Sequence, residues 1–190
     1  MHKLSYGFVL GYHGCSQAVA KALLAGAPFK QSENDYDWLG HGIYFWEANP
    51  KRGLAFAKEA LKRKKSKKHP AVVGAVIDLG HCLDLTTEAG VDVLKTAYRT
   101  LSIGLDVLGS PLPTNSVRFR RLDCAVIEAA HILAAQGDDF PPFDTVKGVF
   151  VEGEQAYPGS GFSDKTHIQI AVRNPKMIKG VFRVDQELLT

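Results

Sequence analysis

Two short words of sequence hold residues whose types and spacing could do chemistry together. They are Tyr12-His13-Gly14 and, 26 residues beyond Gly14, Gly40-His41-Gly42-Ile43-Tyr44-Phe45. A strand that ends in His-Gly offers a ring nitrogen and bare backbone at its tip, and the missing Cβ lets a planar ligand lie against the glycine amide and carbonyl. That geometry suits a carboxamide. Tyr44 adds a flat aromatic face, on which a positively charged pyridinium ring is held by stacking and cation–π attraction. Read singly, His13 and Tyr44 are more often ordinary half-buried strand residues; the pair is what defines a site.

The elements that must position these words follow from local pattern. Residues 6–12 are mostly aromatic, aliphatic or glycine and read as a short buried strand ending at His13-Gly14. Ser16 caps a helix over 17–24, where Val19, Ala20, Leu23 and Leu24 fall at helical spacing, and Gly26 with Pro28 ends it. A polar loop carrying Asn34-Asp35-Tyr36-Asp37 leads through Gly40-His41-Gly42 into a strand over 43–46. Asn49-Pro50 opens the next helix, with asparagine as cap and proline at the first helical position. The run rich in valine and isoleucine over 71–79, bounded by Pro70 and Gly80, is the clearest strand. Helices follow over 91–101 and 117–135, the second with Val126, Ile127, Ala130 and Leu133 on its apolar face. Strands over 146–151, 166–172 and 178–184 close the chain, separated by a glycine-rich loop and by Asn174-Pro175. Strands at both ends and helices in the middle predict an α+β domain.

At 190 residues with 45% hydrophobic content, the chain reads as one domain over 1–190 with a real core. The net charge of +3 is mild, and much of the local excess is the run Lys62-Arg63-Lys64-Lys65 with Lys67 and Lys68. Cys15, Cys82 and Cys124 are odd in number and form no CxxC pair, which indicates neither a disulfide framework nor a metal site, and a reducing cytoplasm is expected. No segment approaches the roughly 20 apolar residues of a membrane span, so no membrane partner is expected.

Taken jointly, the two words resemble the poly(ADP-ribose) polymerase-like branch of the ADP-ribosyltransferases, the diphtheria-toxin-type group with an H-Y-E-like triad. That branch opens with a strand ending His-Gly and continues through a helix and loop to Gly-Lys-Gly-Ile-Tyr-Phe; here only His41, between the glycines, differs. The resemblance is strong over residues 8–56 and loose over 149–182. It implies two packed, mainly antiparallel sheets with peripheral helices around an NAD cleft, and NAD as co-substrate. It places His13 on the ribose and adenosine side of NAD, Gly14 on the carboxamide, Tyr44 in the nicotinamide stack, and Phe56, one position out of register, as the second stacking ring. The triad glutamate falls on Gln169, whose oxygen accepts a hydroxyl hydrogen bond but brings no net charge to a developing cation. Glu154, or its neighbour Glu152, is the carboxylate that would supplement it from the preceding loop, although solvation is the commoner fate of a loop glutamate.

The activity this implies is cleavage of the nicotinamide–ribose bond and mono-ADP-ribosylation of a protein or nucleic-acid acceptor, of the kind bacterial toxins and defence systems use, with an antitoxin or immunity partner to match. Two alternatives stand beside it: an NAD- or ADP-ribose-binding module without turnover, and an NAD-dependent RNA 2'-phosphotransferase, against which Gln169 counts because an arginine is expected there. Among other residues, His131 reads as structural, and His167 shares a strand face with Gln169. Arg118, Arg120, Arg121 and Asp123 read as an ion-paired cluster or a pyrophosphate contact. Trp38 and Trp46 read as core anchors, with Trp38 also placed to flank the ligand, and Tyr157 as part of an acceptor-facing loop. The lysine run reads as a solvated face or as a source of phosphate affinity.

Overall fold

The computed structural model describes residues 8–117, 119–136 and 141–189. The chain is α+β, and its described residues form seven strands in one mixed sheet and four α-helices. These are β1 (Phe8–Ser16), α1 (Gln17–Leu24), β2 (Ile43–Glu47), α2 (Pro50–Arg63), β3 (Pro70–Asp78), β4 (Cys82–Asp84), α3 (Glu88–Val107), α4 (Arg121–Gln136), β5 (Thr145–Phe150), β6 (His167–Val172) and β7 (Ile178–Arg183). The strand order is β4-β5-β6-β2-β1-β3-β7. Every pairing is antiparallel except β4 with β5. Instead of the two separate sheets expected from the family resemblance, one hydrogen-bonded ladder runs through all seven strands. Its halves, β4-β5-β6-β2 and β1-β3-β7, meet at a seam of only two pairs, Gly11↔Glu47 and Tyr12↔Trp46.

Alternation along the strands sorts side chains onto two faces. Ile43, Phe45, Ala75, Ile77, Ile170 and Val172 form a core on one face, next to the cluster of Val73 with Ala20 and Leu23 of α1. On the other face, Leu39, Val146 and Ala171 pack with Val126, Ile127 and Ala130 of α4 and with Ala97 of α3. There Tyr12 and Val72 meet Leu54 of α2, and Trp46 lies against Phe56 with ring centroids 4.7 Å apart.

Several local expectations hold in atomic detail. Ser16 accepts a hydrogen bond from the Val19 amide at the start of α1, and Asn49 accepts one from Arg52 at the start of α2, with proline in the first turn. Boundaries differ where side chains or neighbouring strands decide them. β1 does not stop at His13-Gly14, because its ladder with β3 continues to Ser16↔Pro70. α4 begins at Arg121 rather than 117, since the Asn115 carboxamide oxygen accepts from the amides of Leu122 and Asp123 and 115 and 120 form a bridge. Residues 6 and 7 of the expected first strand, and Arg118, lie outside the described residues.

Candidate functional site

The three positions assigned to the triad fall on three adjacent strands, β1, β2 and β6, in the middle of the sheet. Their backbone arrangement follows from two hydrogen bonds. Gln17 N donates to His69 O at 2.8 Å, which puts the odd residues of β1 in hydrogen-bonded register with β3. Ala48 N donates to Leu10 O at 2.9 Å, so the even residues turn amide and carbonyl toward β2. Pairing with β2 ends at Tyr12↔Trp46. Gly14 is the next even residue, and its N–H and C=O therefore face the point where β1 and β2 part. A donor and an acceptor side by side on one glycine are the complement of a primary carboxamide.

His13 spans the parting strands. Its Nδ1–H donates to the Tyr44 carbonyl at 2.9 Å, which leaves Nε2 as an acceptor. Burial pushes its pKa below the usual value, and the bond to Tyr44 only partly offsets this; the imidazole is neutral at pH 7. The ring lies 5.3 Å from Phe29 and 5.6 Å from Phe45, on the Phe45 face of β2. The Tyr44 ring lies on the opposite face, packed against the core beneath α4. The two side chains are therefore joined through the Tyr44 carbonyl and do not sandwich a ring between them, because adjacent residues of a strand point to opposite sides.

Tyr44 fixes the glycine loop that precedes it. Its hydroxyl donates to Gly40 O at 2.7 Å and accepts from Leu39 N at 2.9 Å. Burial, reinforced by Asp37, raises its pKa well above the usual value, so the phenol keeps its proton and its donor role. From outside, Glu128 of α4 accepts from His41 N at 2.8 Å and from Arg173 Nη1 at 2.7 Å. Gly40 has φ +73°, and a Cβ there would meet Glu128 Oε1 at 2.7 Å, so the clamp requires glycine. Neither Glu128 nor Arg173 stood out in the sequence, since their partners lie 87 and 45 positions from Glu128.

Gln169 stands opposite Trp46 in the β2–β6 ladder, and its orientation is set by His167. His167 Nδ1–H donates to Lys165 O at 2.6 Å, so its Nε2 accepts from the Gln169 Nε2 amide at 2.8 Å. That commits one of the glutamine's two N–H donors to His167 and fixes the direction of its carbonyl oxygen, an acceptor. A chain of ring contacts continues outward: His167 stacks on Phe150 at 5.8 Å, Phe150 meets Trp38 at 4.7 Å, and Arg120 lies over Trp38 at 4.6 Å. On the α2 side, Arg52 Nη2 donates to Glu152 at 2.8 Å. Among the described residues Trp46 Nε1, Arg52 Nε and Nη1, and Arg120 Nε are buried without a hydrogen-bond partner.

The remaining predicted residues are less closely gathered. Phe56 is 36% exposed and covers Trp46. Glu152 is held by Arg52, whereas the exposed Glu154 is tied through its backbone to Asp164 at the base of the loop. Arg121 pairs with Asp35 at 2.8 Å, not within its own cluster. Burial raises the Cys15, Cys82 and Cys124 thiols to about 11, so none is a ready nucleophile at neutral pH. Two open depressions, of about 380 Å³ beside Phe143 and Arg173 and about 470 Å³ along residues 30–34, are not lined by the seam residues. Among the described residues, no helix is long and apolar enough to cross a membrane. The chain matches no family model, and neither curated proteins nor solved structures give a match.

Proposed function

We propose that the chain binds NAD and transfers its ADP-ribose to a macromolecular acceptor, on a fold of the ADP-ribosyltransferase type whose two sheets are joined here at the β1–β2 seam. The observation that carries this reading is the glycine edge in that seam: the Gly14 amide and carbonyl lie past the last β1–β2 pair, next to the His13–Tyr44 hydrogen bond, with Gln169 two strands away on β6. The edge fits a nicotinamide carboxamide. Any side chain at Gly14 would collide with the Gly53 carbonyl of α2, so the residue that bares the edge is also the one that lets α2 close on it.

In the reaction the bond from the anomeric carbon to the nicotinamide nitrogen breaks, its electron pair leaves with neutral nicotinamide, and positive charge builds on the ribose. The acceptor's oxygen or nitrogen then bonds to that carbon and gives its proton to solvent. Gln169 lies on the Trp46–Tyr44 face of the sheet and His13 on the Phe45 face. The ribose hydroxyls would therefore meet the Gln169 carbonyl oxygen and would reach His13 Nε2 only across the parting of β1 and β2. Each acceptor is fixed beforehand, His13 by Tyr44 O and Gln169 by His167. Glu152, with Arg52, is the carboxylate at the edge of this site; Glu154 would have to leave the loop base to join it.

Incubation with NAD should release nicotinamide, and Gln169→Ala should lower the rate at least tenfold while changing NAD affinity less. Glutamine in place of a carboxylate favours a second reading, NAD binding without turnover; binding with no release in any extract would establish it. No binding and no release would end both.

A further inference from the structure

We infer that the acceptor is a single-stranded nucleic acid that docks along the outer side of α2; its role as acceptor rests on the transferase reading above, but its docking does not. Residues 51–68 hold nine of the chain's 23 lysines and arginines and a single acid, Glu59, on a chain whose net charge is only +3. The remainder is therefore net negative, and the chain's excess of positive charge is carried by α2 and the residues that follow it. Lys51, Lys58, Lys62, Arg63, Lys64, Lys65, Lys67 and Lys68 are all exposed. Among the described residues none of the eight makes an ion pair; the only basic residue of the stretch that does is Arg52. Cations in the last turn of a helix are ordinarily placed to offset its dipole. That accounts for Lys62 and Arg63, and leaves six charges whose mutual repulsion a polyanion would relieve. Lys51, Lys58 and Lys62, at i, i+7 and i+11, share one side of the helix, so the charge forms a track leading away from Arg52.

A second, independent feature lies at the other end of that track. The loop between β5 and β6 is closed by Ala156 N donating to Phe162 O at 2.9 Å and by a bridge between 155 and 163. It presents Tyr157 and Phe162 to solvent at 59% and 72% exposure. Glu152 ties the loop's base to Arg52 at 2.8 Å. A backbone-tracking row of cations with exposed rings at its end is the combination that holds unpaired strands, phosphates on the lysines and bases on the rings. A duplex keeps the bases along its backbone paired and stacked on one another, and an acidic peptide has anions but no bases.

The test uses the full chain with labelled twelve-nucleotide oligo(U) and oligo(dT), followed by fluorescence anisotropy between 50 and 200 mM salt, without NAD. Binding should weaken with salt, with a slope that flattens by about 0.7 for each phosphate contact removed. The variant K62A/K64A/K65A/K68A should lose at least tenfold in affinity at 50 mM salt and show the flatter slope, and K62R/K64R/K65R/K68R should keep both. Tyr157→Ala with Phe162→Ala should lower affinity severalfold with the slope unchanged. The two oligonucleotides distinguish RNA from DNA as the source of the strand. Absence of binding, an unchanged slope in the alanine variant, or equal competition by poly-glutamate would overturn the inference. Oligonucleotide binding by a protein that neither binds nor cleaves NAD would leave the docking intact and remove the transferase reading. NAD cleavage without oligonucleotide binding would do the reverse.

Discussion

The two halves of the sheet are held to their surroundings by a different balance of contacts. In the β1-β3-β7 half α2 is seated by close backbone approach, Gly14 facing the Gly53 carbonyl, and within the sheet itself Gly74 of β3 leaves room for the Phe182 ring of β7. In the β4-β5-β6-β2 half the apolar core is larger, and polar side chains lock it to the loops. Tyr44 holds residues 39 and 40, Glu128 holds 41 and 173, and Asn174 donates to Asp144 at 2.7 Å. Glycine packing fixes distance but offers no direction, whereas hydrogen bonds fix both distance and direction. The candidate site lies where the two systems meet, which gives it an open backbone edge from one half and oriented side chains from the other.

The sharpest break in that comparison is Gly14→Ala. The new Cβ would strike a backbone oxygen, so α2 or β1 must shift, and overpacking of this kind costs about 3 kcal/mol. For a chain of this size that lowers Tm by roughly 6 to 12 °C. Gly53→Ala is the control from the other side of the same contact. Its Cβ would meet Val72 Cγ2 at 3.2 Å and Tyr12 O at 3.3 Å, and a gain of about 1 kcal/mol in helix propensity opposes the squeeze. Thermal unfolding should therefore find Gly53→Ala within a few degrees of the parent. Equal losses at the two sites would mean that the helix is not seated on Gly14.

In the polar half the corresponding break is Glu128→Leu, which strands the His41 amide and the Arg173 guanidinium and should cost about 1 to 3 kcal/mol. Burial alone would raise the Glu128 pKa, but the bonds from Arg173 and from the His41 amide outweigh it and hold the carboxyl below its usual value. A group with a lowered folded pKa contributes stability above its unfolded pKa, near 4.5, and loses it as pH falls through the folded one. Glu128→Gln should accordingly flatten the fall of Tm with acidity below about pH 4.5. An unchanged acid limb would show that the Arg173 contact is not formed in solution.

How much of this was legible beforehand divides along the same line. The seam half is written in short words: Ser16 and Asn49-Pro50 cap their helices, and His13-Gly14 precedes α1 directly. What local pattern could not supply was that β1 continues beyond Gly14 on one edge only, because strand length was read from hydrophobicity while pairing with β3 decides it. β4, three residues long and paired in parallel, carries too little periodicity to be seen. The Glu128–Arg173–His41 clamp joins elements far apart in sequence, and the opposite facing of His13 and Tyr44 became visible only once β1 and β2 were in register. Gln169 is legible as the position in the late strand over 166–172 where the family resemblance puts a glutamate, but the histidine that orients it is legible only as a residue on the same face.

His131 gives the smallest expected effect and separates polar groups that clamp from polar groups that are merely enclosed. It is 4% exposed on α4, at 5.7 Å from the Phe143 ring, and among the described residues neither ring nitrogen has a hydrogen-bond partner. Burial, with Arg173 adding to it, lowers its pKa from 6.5 to about 4. The unfolded chain therefore takes up a proton near pH 6.5 that the folded chain refuses until about pH 4, so stability drains as pH falls through that window. His13, also held neutral by burial, adds a contribution of the same sign. Replacing His131 by leucine removes two unsatisfied nitrogens along with the titration. In urea denaturation the variant should match or exceed the parent at pH 7 and lose less between pH 7 and pH 5, keeping the residual slope that belongs to His13. A loss above about 1 kcal/mol at pH 7 would mean that those nitrogens are bonded, and that His131 belongs with Glu128 and Tyr44 among the clamps.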